Sequence, residues 1–176
     1  GIGRYSVEIL KNLIQSSSAD QFVLIANSSL RNLEIQFKTQ LIQENVTYFE
    51  WSSPCPFDYI SNNHNLYQLA LYIKSYAFSC LHLDALIITS FFEGFADNSL
   101  IEFDTDLFKA KILSIFYDLI PMLNPDLYFT DNLEFEKFYK GKLSNLQKVD
   151  ALLAISESSA NEVKKFLDFD PDFVFN

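Results

Sequence analysis

Ile112-Leu113-Ser114-Ile115-Phe116-Tyr117, followed at once by Asp118-Leu119-Ile120-Pro121, is the stretch that decides the fold. A short, almost continuously apolar run ended by an aspartate and a proline reads as a strand buried on both faces that opens into a turn. Downstream, beyond Pro121 and Pro125, Phe135, Phe138, Tyr139, Leu143 and Leu146 recur at helical spacing and lead to a second such strand, Ala151-Leu152-Leu153-Ala154-Ile155. Ser159-Ala160-Asn161-Glu162 then matches a capping box, in which the serine accepts an orphan amide bond and the glutamate reaches back to the cap. Val163, Phe166 and Leu167 give that helix a buried face, and Phe173-Val174-Phe175 begins one more strand.

Upstream the same alternation holds. Leu66, Leu69, Ala70, Ile73, Ala77 and Cys80 mark a helix leading into a strand from Ala85 to Thr89. Before it come a strand from Val46 to Trp51, a helix through Leu30, Leu33, Phe37 and Leu41, and a strand from Phe22 to Ala26. Ile9, Leu10, Leu13 and Ile14 line a first helix that starts near Tyr5. Strands without in-out alternation, each separated by a helix, are what a parallel sheet covered on both faces requires. The expectation is a doubly wound, Rossmann-like α/β domain spanning residues 1–176 as one unit, with residues 91 to 110 breaking the rhythm through aromatics, Gly94 and an acidic run.

The chain has 176 residues, 49% hydrophobic and 20% charged, enough to bury one core and too apolar for disorder. Thirteen Lys and Arg against 23 Asp and Glu give a formal charge of −10, which repels polyphosphate backbones and anionic lipid headgroups. Nucleic acid and membrane are therefore not expected as partners, and no apolar run reaches the ~20 residues needed to cross a bilayer. Cys55 and Cys80 are too few and isolated for a disulfide framework and read as reduced small hydrophobes in a cytoplasmic protein. Position 1 is Gly, with no leader pattern after it, so the chain reads as a piece of a longer protein.

In doubly wound folds ligands bind beyond the carboxyl ends of the strands. That rule selects four loops: Gly1-Ile2-Gly3-Arg4-Tyr5, Thr89-Ser90-Phe91-Phe92-Glu93-Gly94-Phe95, Tyr117-Asp118-Leu119-Ile120-Pro121, and Ser156-Glu157-Ser158-Ser159. Glycines before a helix allow close approach to amides that carry partial positive charge, or serve only as a tight turn. Arg4 suits an anion or a surface ion pair, Glu93 a sugar hydroxyl or solvent, Asp118 a ligand or the cap of its own turn, and Tyr117 a polar contact at the cleft rim. His64 and His82 lack partners at ligand spacing, so no metal site is expected there. Asp104-Thr105-Asp106 is a DxD triplet, the type some metal-dependent transferases use, although it is frequent by chance. Asp168, Asp170 and Asp172 mimic an EF-hand start, but Phe173 stands where a Gly is needed.

Taken together, Gly1-Ile2-Gly3-Arg4-Tyr5-Ser6, Ser90 to Phe95, Tyr117 to Pro121 with Pro125 and Tyr128, and Leu153 to Ser159 resemble the N-terminal half of a glycosyltransferase family 4 (group 1) enzyme. The resemblance covers nearly the whole chain. It implies a GT-B architecture of two facing Rossmann-like domains, of which residues 1–176 are the acceptor-side domain and the donor-binding domain is absent. It implies retaining, metal-independent transfer of a sugar from a nucleotide-sugar co-substrate to a glycan acceptor in polysaccharide biosynthesis, with no further cofactor. Carried over position by position, Gly1 and Gly3 form the glycine loop with Arg4 after it, and Ser90, Glu93 and Gly94 belong to a loop bordering the acceptor. Tyr117-Asp118 stands where many relatives have His-Asp, and Ser156 lies at the cleft end of a strand. The catalytic residues are left unassigned.

The resemblance also implies a strand immediately before the glycine loop, and in a doubly wound sheet the first strand is central. Nothing precedes Gly1 in this sequence. The neighbours of that strand should then be paired directly or separated by a gap, unless further residues precede Gly1. Two other readings are a non-catalytic Rossmann-like module that binds a sugar or a protein, and a metal-dependent transferase that uses Asp104 and Asp106.

Overall fold

The computed structural model describes residues 1–28, 41, 43–53, 63–97 and 99–176. Its elements in chain order are α1 (Ile2–Ser16), β1 (Phe22–Asn27), β2 (Val46–Trp51), α2 (His64–Ser79), β3 (Ala85–Ile88), β4 (Lys111–Phe116), α3 (Ile120–Leu123), α4 (Pro125–Tyr128), α5 (Leu133–Leu146), β5 (Ala151–Ala154), α6 (Glu157–Phe166) and β6 (Val174–Phe175). All strand pairs are parallel: β1 with β2, β3 with β4, β4 with β5, and β5 with β6. The chain is thus an α/β protein of Rossmann-like construction. The expected helix through Leu30, Leu33 and Phe37, and Cys55, lie outside the described residues.

The missing-strand expectation is met by a gap. Among the described residues the strands form two sheets, β1-β2 and β3-β4-β5-β6, and residues 2–16 are helical rather than a central strand. The two sheets differ in burial. Strands β4 and β5 are largely buried, as their apolar runs require, whereas every residue of β1 is only half-buried.

One core joins the two sheets. Phe116, Leu119, Leu146, Leu152 and Val163 are sealed from solvent, and Ile25, Phe49 and Trp51 of the smaller sheet pack on the same cluster. Phe78 at the end of α2 is the joint, meeting Phe49 at 5.8 Å and Trp51 at 5.6 Å on one side and Phe103 at 5.3 Å on the other. Each such ring pair adds about 0.5–1.5 kcal/mol beyond the area it buries. Much of the aromatic content is therefore core.

Two buried lysines fix the irregular stretch after β3. The Lys74 ammonium, on the inner face of α2, donates to the carbonyls of Leu100, Ile101 and Glu102 at 2.6, 2.8 and 3.3 Å and lies 3.7 Å from the Phe103 ring centroid. Burial pushes its pKa well below the ordinary lysine range, with Glu102 opposing. Lys142 of α5 pairs with Glu102 at 2.9 Å, both almost fully buried. Burial alone would raise the Glu102 carboxyl, but the charge and hydrogen bond of Lys142 outweigh it and hold the group below its ordinary value.

Three local expectations are corrected. The cap of α6 is Ser156, whose Oγ accepts from the Ser159 amide, and Glu162 reaches the Leu119 amide at 2.9 Å instead of its own cap. Cys80 is not a buried hydrophobe but an exposed free thiol at the end of α2. Two four-residue helices, α3 and α4, each with proline in the first turn, occupy the expected loop after β4. Among the described residues no helix is long and apolar enough to cross a membrane.

Candidate functional site

The carboxyl ends of β3, β4 and β5 share one edge because the strands are parallel, and the first turn of α1 lies against it. There an open hollow of about 530 Å³ is lined by Gly1, Ile2, Arg4, Tyr5, Glu8, Tyr117 and Ile155. Ile2, Tyr5 and Ile155 are at least one-third exposed, so the hollow is mostly apolar with polar groups at its margin.

Tyr117 organises the site. Its hydroxyl donates to the Thr89 carbonyl at 3.1 Å and lies 3.3 Å from Ser6 Oγ, while Tyr5 meets its ring edge-on at 5.8 Å. Ser6 Oγ also donates to the Ile2 carbonyl at 3.0 Å, so its single proton is already in use. With its own proton on Thr89, the Tyr117 oxygen is left as an acceptor facing the hollow's margin. Burial raises its pKa, and Tyr5 and Glu93 nearby push the same way.

The loop after β3 comes to the same side. Ser90 Oγ donates to Glu93 Oε1 at 2.7 Å, which orients an otherwise exposed carboxylate. Gly94 is the hinge of this loop: its φ is +105°, and a Cβ there would lie 2.2 Å from the Ser99 carbonyl oxygen. Only glycine fits that position. Next to Tyr117, Asp118 is occupied by capping, since its Oδ1 accepts from the Ile120 amide at 3.0 Å. Ser156 is the cap of α6, and Ser159 Oγ donates to the Tyr117 carbonyl at 2.5 Å, fastening the β4 and β5 loops together.

Gly1, Arg4 and Tyr117 thus line one hollow, and Glu93 is near enough to Tyr117 to act on its charge. Gly3 does not form a loop before the helix: α1 starts at Ile2, Gly3 lies in its first turn, and the space where either glycine would carry a Cβ is open. The helix has no side-chain cap at Gly1, so its first amides are free to meet a ligand. Tyr5 and Thr89 lie in loops that the sequence selects, and Ser6 and Ile155 in the stretches that carry the resemblance, but sequence reasoning assigned none of the four a role in the site; the helical spacing of Gly1, Tyr5 and Glu8 was the signal available for Tyr5.

The other candidates lie elsewhere. Asp104 Oδ1 accepts from the amides of Asp106 and Leu107, a turn cap, while the Asp106 side chain is fully exposed. Among the described residues no three His, Cys, Asp or Glu side chains converge as metal ligands would. A smaller hollow of about 220 Å³ lies among Tyr67, Leu71, Ile101, Phe103 and Val149, and its carboxylate, Glu102, is engaged by Lys142.

A parallel-sheet α/β protein with its polar groups at the carboxyl edge belongs to the class of fold that glycosyltransferases use. Among characterised proteins, the whole chain aligns with the serotype-specific mannosyltransferase WbdA of Escherichia coli at 28% identity over 181 residues. Two further E. coli sequences of that name match at 30% identity over 148 residues, 84% of this chain. The chain spans only about a fifth of the length of these relatives, 18–21%. No family model matches the sequence, and no solved structure matches it.

Proposed function

We propose that this chain is the acceptor-side domain of a glycosyltransferase that moves a sugar, in keeping with its relatives mannose, from a nucleotide-sugar donor to a glycan. The observation that carries the reading is the convergence of Gly1, Arg4 and Tyr117 around one apolar hollow, with the Glu93 carboxylate near enough to Tyr117 to act on its charge, in a chain that aligns end to end with part of a mannosyltransferase. A pyranose presents apolar C–H faces and a ring of hydroxyls. Tyr5, Ile2 and Ile155 offer surface for the former, and the Tyr117 oxygen and the Glu93 carboxylate offer acceptors for the latter.

Retaining transfer without a metal needs preorganised amides and cations where charge develops on the diphosphate leaving group. The first amides of α1 and Arg4 supply part of that requirement. In a chain of net charge −10 the remaining cations belong to a second, donor-binding domain facing this one in a GT-B arrangement, in the cytoplasm where nucleotide sugars are made. Ser90, Gly94, Asp118 and Ser156 act by holding the loops rather than by touching sugar.

Titrating the chain with a mannose trisaccharide while recording ¹H–¹⁵N spectra tests this. Shifts confined to residues 1–6, 89–94, 117–118 and 155–156 are expected, with no turnover when any nucleotide sugar is added. Shifts centred elsewhere would overturn the site, and robust transfer by this chain alone would overturn the division of labour.

A further inference from the structure

We infer that the smaller hollow, among α2, the connection from β3 to β4 and the end of α5, is a binding site for one small neutral ring that carries several hydroxyls, a monosaccharide or a cyclitol. It shares no lining residue with the larger hollow at the carboxyl edge, so the inference stands apart from the reading of that site.

Size sets the first limit. Protein interiors are packed about as densely as organic crystals, so a hollow of about 220 Å³ beside the main core is a built feature. Only ~10–15 Å³ is needed to hold one water, whereas pockets for drug-sized ligands begin at ~300 Å³. The occupant is therefore much larger than a water and no larger than a single substituted ring. A linked oligosaccharide exceeds it.

The walls set the chemistry. Leu71, Ile88, Phe91 and Phe103 supply apolar surface. Tyr67 is half-buried, and its hydroxyl has no hydrogen-bond partner although it is near enough to Glu102 to feel that carboxylate. Burial first, and then the charge of Glu102, raise its pKa, so it stays protonated and able to donate. Gln68 and Thr105, whose side chains also lack hydrogen-bond partners, are exposed and mark the open side. Asn145 Oδ1 accepts from Lys148 at 2.8 Å, which leaves the amide N–H groups of Asn145 for a ligand. Hydroxyls and primary amides each donate and accept, and an array of them matches a ligand whose own groups do both.

Charge sets the last limit. In the wall, Glu102 is paired with Lys142 at 2.9 Å and both are almost fully buried, so water screens them little. An entering carboxylate or phosphate would meet Glu102, and an entering ammonium would meet Lys142 and the exposed Lys148. A neutral polyol meets neither penalty and can still donate to Glu102. A saturated ring edged with hydroxyls has the apolar C–H face and the polar rim that these walls complement.

Recording ¹H–¹⁵N spectra of the 176-residue chain against millimolar D-mannose, and separately against myo-inositol, tests the site. Saturable shifts at residues 67–71, 101–105 and 145–149 are expected; a response to mannose alone assigns a sugar, and to inositol alone a cyclitol. Sodium acetate and methylammonium chloride at matched ionic strength should leave those amides unmoved. Tyr67→Phe keeps the ring and loses the hydroxyl, and should weaken binding about threefold to tenfold. Thr105→Val gives the same comparison from the exposed side if Tyr67→Phe disturbs the spectrum. The inference is overturned if neither polyol saturates these residues, which would mean a hollow filled by water only, if acetate or methylammonium shifts them as strongly, or if both variants bind unchanged. Saturation confined to residues 1–6, 89–94 and 117–118 would also overturn it, while leaving the site at the carboxyl edge standing.

Discussion

Replacing Gly94 by alanine should destabilise the protein by about 3 kcal/mol and dislodge Glu93 from its place beside Tyr117. The magnitude has two parts. A non-glycine residue at a φ of +105° is strained by roughly 1–3 kcal/mol, because that region is open almost only to glycine. The new Cβ would also stand 2.2 Å from the Ser99 carbonyl oxygen, a backbone atom. Relieving that contact means moving main chain by about 1 Å, at a cost of roughly 1–3 kcal/mol by analogy with overpacked cores. Little can yield, since the next residues are clamped by Lys74 through the Leu100, Ile101 and Glu102 carbonyls. Urea unfolding followed by the fluorescence of Trp51, the single tryptophan, measures the loss. Gly141→Ala is the control: it lies within α5 with open space around it, and should stabilise by about 0.5–1 kcal/mol. If Gly94→Ala costs less than 1 kcal/mol, the loop is not held as described and Glu93 is not a fixed member of the site.

Other expectations follow from the same structure. Lys142→Met leaves Glu102 as an uncompensated buried charge and should cost about 3–5 kcal/mol, whereas the Lys142→Met, Glu102→Gln pair should cost clearly less than the two single losses summed, by denaturant titration. Because the folded-state pKa of Glu102 is depressed, its stabilisation is fully present above the unfolded value of about 4.3 and is lost as pH falls through the lower folded value; Glu102→Gln should flatten the acid limb of the stability profile. Tyr117→Phe removes the bond to Thr89 and should lower stability by about 1 kcal/mol while weakening mannose-trisaccharide binding several-fold in the NMR titration. Ser156→Ala removes the cap of α6 and should cost about 1 kcal/mol by thermal unfolding, with sugar binding nearly unchanged.

The alternation of apolar runs and helical periods made the parallel α/β class readable, because a strand covered on both faces cannot hide its composition. Ile112 to Tyr117 and Ala151 to Ile155 fall within one residue of the observed strands. Gathering Gly1, Glu93 and Tyr117 followed from one topological rule about strand ends rather than from any motif. What escaped the sequence depended on contacts between segments far apart in the chain. Glu162 satisfies the amide of Leu119, 43 positions away, so the local capping box was a misreading of a tertiary bond. Lys74 and Lys142 look like surface charges by residue type, and only the carbonyls of a distant loop and the Glu102 carboxylate explain their burial. Ser6 gave no polar signal that distinguishes it from any helix serine until Tyr117 came within reach.

Phe78 touches the rings of Phe49 and Trp51 in β2 and that of Phe103 in the stretch between β3 and β4, whereas no strand hydrogen bond among the described residues links the two sheets. Adhesion between greasy plates has no register to break, so its resistance to shear is low and it heals on contact. Under mechanical load, or in a native-state opening experiment, β1 and β2 should come away together as one subunit of cooperativity before the four-stranded half yields. A protein glued in this way has a built-in order of disassembly, set by six-membered rings and a lone indole rather than by the backbone.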